Sequence, residues 1–260
     1  MHHNSTALNH HIKQLNSNNS LKEFHSIIEF ALYKGSSIDS NLFSPLLHSK
    51  HPFYKGKSTE EITNCKGYIF SLFEKIGTDN NSLPYIIEAL EISSSPFLVA
   101  AAAKSIRGLE RSIPQLAHVL IEGFYSIQGI DQEVSFKTDF KEEIAQTTAI
   151  NEILVTLKWF GKDIVYLLPE LKVIEKEFAS ILEQKNMYIL KDTIQYLENV
   201  NQPSIDYSEL SLEECYDNNS YSFLNKTLIK KSDKSFTKNL FGKFSFNQYF
   251  SFFNKSLRLD

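Results

Sequence analysis

Apolar residues along this chain recur at three- and four-residue intervals, the period of helices that bury one face. Leu21, Phe24, Ile27, Ile28, Ala31 and Leu32 form the first stripe, opened by the capping-box pattern Ser20-Leu21-Lys22-Glu23 and closed by Gly35. Ser58-Thr59-Glu60-Glu61 opens a second, in which Ile62, Cys65, Ile69, Leu72, Phe73 and Ile76 share a face and Gly77 is the stop. Between the two, Ser36 to Lys57 reads as loop with a short helix around Phe43 to His48. A third stripe, Ile144, Thr147, Ile150, Leu154, Leu157 and Phe160, ends at Gly161, and a last helix is expected from about Phe178 to Val200.

The middle of the chain departs from this two-faced pattern. Pro96-Phe97-Leu98-Val99-Ala100-Ala101-Ala102-Ala103 is apolar on every side, with Ser95 as N-cap and Pro96 at the first helical position. Four alanines favour helix and add little bulk, so neighbouring backbones can approach closely. Ser82-Leu83-Pro84 and Ser112-Ile113-Pro114 open elements on either side, 30 residues apart, which is room for two helices of about three turns. Leu167-Leu168-Pro169 repeats the proline start, and the polar stretch Gly129 to Phe140 reads as an insertion into the series. The pattern predicts an all-α array over 20–200, preceded by a disordered N-terminus over 1–19.

Beyond Pro203 the character changes. Residues 201–224 carry Asp206, Glu209, Glu213, Glu214 and Asp217 and no basic residue. Residues 225–260 carry eight basic side chains, among them Lys226, Lys230, Lys243 and Arg258, against Asp233 and Asp260. Alternations such as Tyr221-Ser222-Phe223 and Phe244-Ser245-Phe246 read as strand, so 201–260 is expected to be an irregular, partly β appendage. A lysine- and phenylalanine-rich segment suits a partner or membrane surface, or a stacking platform for nucleic acid, or a small subdomain folded back on the array.

Composition narrows the function. At 260 residues, 42% hydrophobic and 22% charged, the chain is that of a soluble globular protein with one substantial core. A net charge of −4 counts against an electrostatic nucleic-acid binder. Met1 to Asn19 has no apolar core of a signal peptide, so the chain as it stands is expected in the cytoplasm, or outside it if an export segment was removed. Cys65 and Cys215 are the only cysteines and rule out a disulfide framework or a cysteine-rich zinc site.

The alanine helix, followed by a proline-started helix, resembles HEAT-like repeats: Ala100-Ala101-Ala102-Ala103-Lys104-Ser105-Ile106-Arg107-Gly108-Leu109 carries the likeness. More narrowly, Tyr54-Lys55-Gly56-Lys57-Ser58-Thr59, Lys66-Gly67-Tyr68-Ile69 and Leu83-Pro84-Tyr85 are similar to the HEAT-like module that precedes SCO-type, thioredoxin-like domains in bacterial proteins. The likeness spans roughly 40–175 and implies an α-α superhelix. SCO-type domains carry a Cys-x-x-x-Cys pair; Cys215 stands alone, so no catalytic or metal residue is carried over.

Candidate chemistry is sparse. His48 and His51 have metal-ligand spacing if helical, but Pro52 argues for a turn and no third ligand is evident. His2, His3, His10 and His11 lie in the terminal stretch. Cys65 falls on its helix's apolar stripe as a buried thiol, and the carboxylates of Glu213 and Glu214 raise rather than lower the pKa of Cys215. Glu60-Glu61 and Glu142-Glu143 suit helix starts, and Trp159 beside Phe160 suits packing between helices. There is no Gly-rich phosphate loop, nucleophile elbow or His-Glu-x-x-His run. The expectation is a non-enzymatic scaffold for a protein or peptide, without cofactor, metal or catalytic residues. Two alternatives stay open: the helical module of an SCO-type redox or copper-delivery protein, and a HEAT-like enzyme such as a DNA glycosylase or chromophore lyase.

Overall fold

A computed structural model describes residues 8, 10–136 and 146–201. These belong to one unit, Met1–Gln202; the second, Pro203–Asp260, lies outside the described residues, as do His2, His3, Glu142, Glu143, Ile144, Cys215 and the expected β alternations. Among the described residues the chain is all-α. Its helices are α1 Leu21–Lys34, α2 Thr59–Ile76, α3 Leu83–Ile92, α4 Pro96–Ile106, α5 Leu116–Ile127, α6 Ala149–Phe160, α7 Leu168–Glu177 and α8 Gln184–Asn201. No described helix is long and apolar enough to cross a membrane.

Local chemistry sets the helix starts where side chains can reach. Ser20 and Ser58 each accept a hydrogen bond from the backbone N–H three residues on, while Glu23 and Glu61 accept from the cap N–H at 2.6 and 2.7 Å, closing both capping boxes. Gly77, with φ 98°, ends α2 in a conformation other residues rarely adopt. Ser95 caps α4, donated to by Leu98 N–H. The other two serine starts behave differently. Ser82 is preceded by Asp79, whose carboxylate takes the Asn81 and Ser82 N–H groups and the Ser82 hydroxyl instead. The carboxylate is a strong acceptor for the Ser82 hydroxyl, and no side chain caps α3. Ser112 caps nothing: Pro114 and Gln115 form a turn before α5, and the Ser112 hydroxyl is buried without a partner.

Helix-by-helix contacts run in a file, α1 on α2, α2 on α4, α4 on α6 and α6 on α8, with α2 against α4 the most extensive. Helices α3 and α5 contact each other and pack on α4 and α6, while α7 packs on α8. At the centre lies α4, whose Ala100, Ala101, Ala102 and Ala103 are wholly buried. Alanine is what allows one helix to be enclosed by α2, α3 and α6 together.

Three expectations need correction, and a fourth, for Ser36 to Lys57, holds with an addition. The N-terminal stretch is not featureless: residues 10–14 are helical, and Leu8, Ile12 and Leu15, at helical spacing, are buried. Ser36 to Lys57 is irregular with a short helix at Ser44–Leu47, as expected, but it also buries Phe43, Leu46, Leu47, Phe53 and Tyr54, so this loop is core. Helix α6 starts at Ala149 because Thr148 caps it; Thr147, assigned to the helical stripe, pairs instead with Val134 in an antiparallel bridge. The last helix, expected from about Phe178, begins later: α7 ends at Glu177 and α8 starts at Gln184.

Candidate functional site

Rings from three helices and one loop form a row across one face of the file. His25 of α1 meets Tyr68 of α2 with ring centroids 5.0 Å apart, Tyr68 meets Phe97 of α4 at 5.1 Å, and Phe97 meets Phe136 at 5.5 Å. Lys104 Nζ stands 5.3 Å from the Phe136 ring centre. All four rings are half-buried, holding their edges against the helices with part of each surface left to solvent. Gly67 makes the row possible. A Cβ there would sit 2.3 Å from the Phe97 ring, so glycine in mid-helix is what lets Phe97 lie across α2 beside Tyr68. The helix gives up about 1 kcal/mol of propensity for that room.

Behind the row is an ion-pair hub. Arg107, at the end of α4, donates Nε–H to Glu74 of α2 and Nη2–H to Glu152 of α6, both at 2.7 Å. Its Nη1–H goes to the Thr156 hydroxyl, which in turn donates to Ala103 O at 2.9 Å. Lys104 adds a second cation 2.9 Å from Glu74. Burial pushes the Glu74 carboxyl up, but the bonds and charges of Lys104 and Arg107 outweigh it and hold the group below its ordinary range. Glu152 is also reached by the Thr147 hydroxyl at 2.8 Å, and Asp131 accepts from the Ala149 and Ile150 N–H groups. The loop between α5 and α6 is thereby tied to the first turn of α6. Every hub group is engaged with another protein group, so the arrangement can hold three helices in register but offers no free acid, base or nucleophile.

A third cluster joins α3, α5 and α7. Glu122 lies electrostatically between Glu91 and Glu170, and burial followed by their mutual repulsion pushes the Glu91 and Glu170 carboxyls up; burial does the same to Glu122. A raised carboxyl favours the folded state while protonated, below its unfolded pKa, and that contribution is lost as pH rises through the folded value. Glu122→Gln is therefore expected to raise Tm by about 2 °C at pH 7, with the gain disappearing below pH of about 4, where the wild-type carboxyl is itself neutral. Thermal unfolding followed by circular dichroism at the two pH values is the check; a lower Tm at pH 7 would show that Glu122 has a favourable partner.

The residues singled out from sequence fall as follows. His48 and His51 sit in a turn, and their Nδ1 atoms accept from the Lys50 and Phe53 N–H groups, which spends them on backbone. Among the described residues no group of His, Cys, Asp and Glu is arranged to hold a metal. Cys65 is buried, and burial pushes its thiol up to about 12, far from a reactive thiolate. Glu60 and Glu61 occupy the first turn of α2. Trp159 is a correction: it is 37% exposed, and its neighbour Phe160 takes the interior position. Sequence reading gave no role to Gly67 in the ring row or to Arg107 in the hub, although glycine inside a helical stripe was a usable signal for the first. Comparison with family models, curated proteins and solved structures finds no match to this chain.

Proposed function

We propose that this chain is a non-enzymatic scaffold, a HEAT-like array of helical hairpins whose ring-lined face holds a protein or peptide partner. The ring row carries the reading. His25, Tyr68 and Phe97 offer apolar edges at intervals set by the helices of the file, with Phe136 and the Lys104 cation at one end, a spacing an extended chain can follow. Aromatic side chains are also the residues that supply most binding energy per position at interfaces. Support for the array comes from the contact order, in which α2, α4, α6 and α8 form one file and α3 and α5 pack against it. The saturated hub behind the row suits a rigid support.

Capture from native lysate tests the reading, with the whole chain and Tyr68→Ala as parallel baits and retained proteins identified by mass spectrometry. Loss of one anchor ring is expected to weaken retention of the same partner about tenfold or more. A partner held equally by both baits, but lost when 225–260 is removed, would move recognition to the basic aromatic segment. Equal retention by all three would overturn the ring row as the binding face.

A further inference from the structure

We infer that the Phe97–Lys104 end of the ring row is a docking position for an aromatic side chain carried on extended backbone, and that the chain's own Phe136 occupies it as a displaceable internal ligand. This rests on the scaffold reading and names what its face accepts. Phe136 does not belong to any helix. It follows Val134, which pairs with Thr147 through Val134 N–H to Thr147 O at 2.8 Å and Thr147 N–H to Val134 O at 3.0 Å. Those two bonds close the α5–α6 loop on itself, and Val134 is buried. Two residues on, the segment sets the Phe136 ring against Phe97 with Lys104 alongside.

The physics makes such a ring removable. A ring-on-ring contact with a partly exposed cation beside it supplies only a small part of what holds the fold as a whole. A loop ring can therefore swing off while Val134, Asp131 and the hub stay in place, a local opening rather than unfolding. The position it vacates is specific. Phe97 lies over Gly67 and meets Tyr68 edge-on, with the two ring planes 66° apart, and Lys104 is held by Glu74, so the position keeps its shape for an incoming ring. An incoming peptide competes with Phe136, and its apparent affinity is reduced by the fraction of time Phe136 is docked.

The test is a titration of the isotopically labelled full chain with the peptide acetyl-Glu-Val-Ser-Phe-amide, copied from Glu133 to Phe136, followed by amide chemical shifts. Phe136→Ala is expected to bind it saturably, with shifts centred on Tyr68, Phe97 and Lys104, and at least about fivefold more tightly than wild type. Adding Phe97→Leu to Phe136→Ala should abolish the gain. Phe136→Ser takes the place of the alanine variant if that one does not fold. Equal binding by wild type and Phe136→Ala, shifts centred elsewhere, or no saturable binding to Phe136→Ala would each overturn the assignment. Failure of the lysate capture with a positive titration would leave this position standing and remove the scaffold reading; the converse result would do the opposite.

Discussion

Replacing Arg107 with methionine is expected to destabilise the protein by about 3–5 kcal/mol, read as a lower urea midpoint at unchanged slope. Methionine fills a similar volume, so the loss is electrostatic rather than steric. Glu152, with a side chain 9% exposed, would keep the Thr147 hydroxyl as a neutral donor and no cation. Glu74, one third exposed, would retain Lys104 and be affected less. Removing one partner of a buried pair costs more than the pair is worth, because the survivor stays desolvated. Adding Glu152→Leu to Arg107→Met is therefore expected to recover part of the loss, which a purely steric defect would not do. Arg107→Lys should recover little, since one ammonium cannot serve Glu74, Glu152 and Thr156 from the three directions the guanidinium reaches. A loss under about 1 kcal/mol for the methionine variant would mean that packing alone holds α2, α4 and α6 together.

Gly108→Ala should cost about 3 kcal/mol or more, by the same urea measurement. A Cβ at this position would stand 2.2 Å from Phe73 O, with Phe73 C and Thr78 Oγ1 each at 2.8 Å. The obstacle is backbone at the end of α2, and it has no room to yield. Phe73 O already accepts from Gly77 N–H, Thr78 N–H donates to Gly108 O, and the Thr78 hydroxyl donates to Ser105 O. Relief of the clash would have to break these stitches between the ends of α2 and α4. Gly67 shows the contrast: there the nearest atoms belong to the Phe97 ring, which can rotate away. Gly129→Ala is the matched control, since a Cβ there meets nothing within 4 Å.

Short-range features were legible in the sequence to the extent that their partners lay within a helical turn. The Ser20 and Ser58 capping boxes, the Ser95 cap and the stops at Gly35, Gly77 and Gly161 all involve residues no more than four apart, and each is present. Ser82-Leu83-Pro84 does open α3, although the Ser82 hydroxyl donates to Asp79 instead of capping the helix; Ser112-Ile113-Pro114 leads into a turn, and α5 starts only at Leu116. In residues 36–57 the short helix was legible and the burial was not. Single 3-10 turns have no sustained period, so a buried irregular segment carries no stripe, and only its phenylalanines and leucines betrayed it. Trp159 faced the opposite difficulty: both it and Phe160 are large and apolar, and only the helix's rotation on its neighbours decides which is covered.

The sequence by itself determined that the described part of this chain would be helical, where most helices begin and end, and that an alanine helix would sit where neighbours crowd. Those outcomes follow from propensity, periodicity and capping, which act over a few residues. Tertiary structure alone decided the ring row, the hub and the close approach at Gly108. His25 and Tyr68 are 43 positions apart, Arg107 and Glu152 are 45, and Phe73 and Gly108 are 35. No local rule chooses such partners; the choice is made when whole helices settle against one another and each buried charge, ring and backbone oxygen must find what its neighbours leave available.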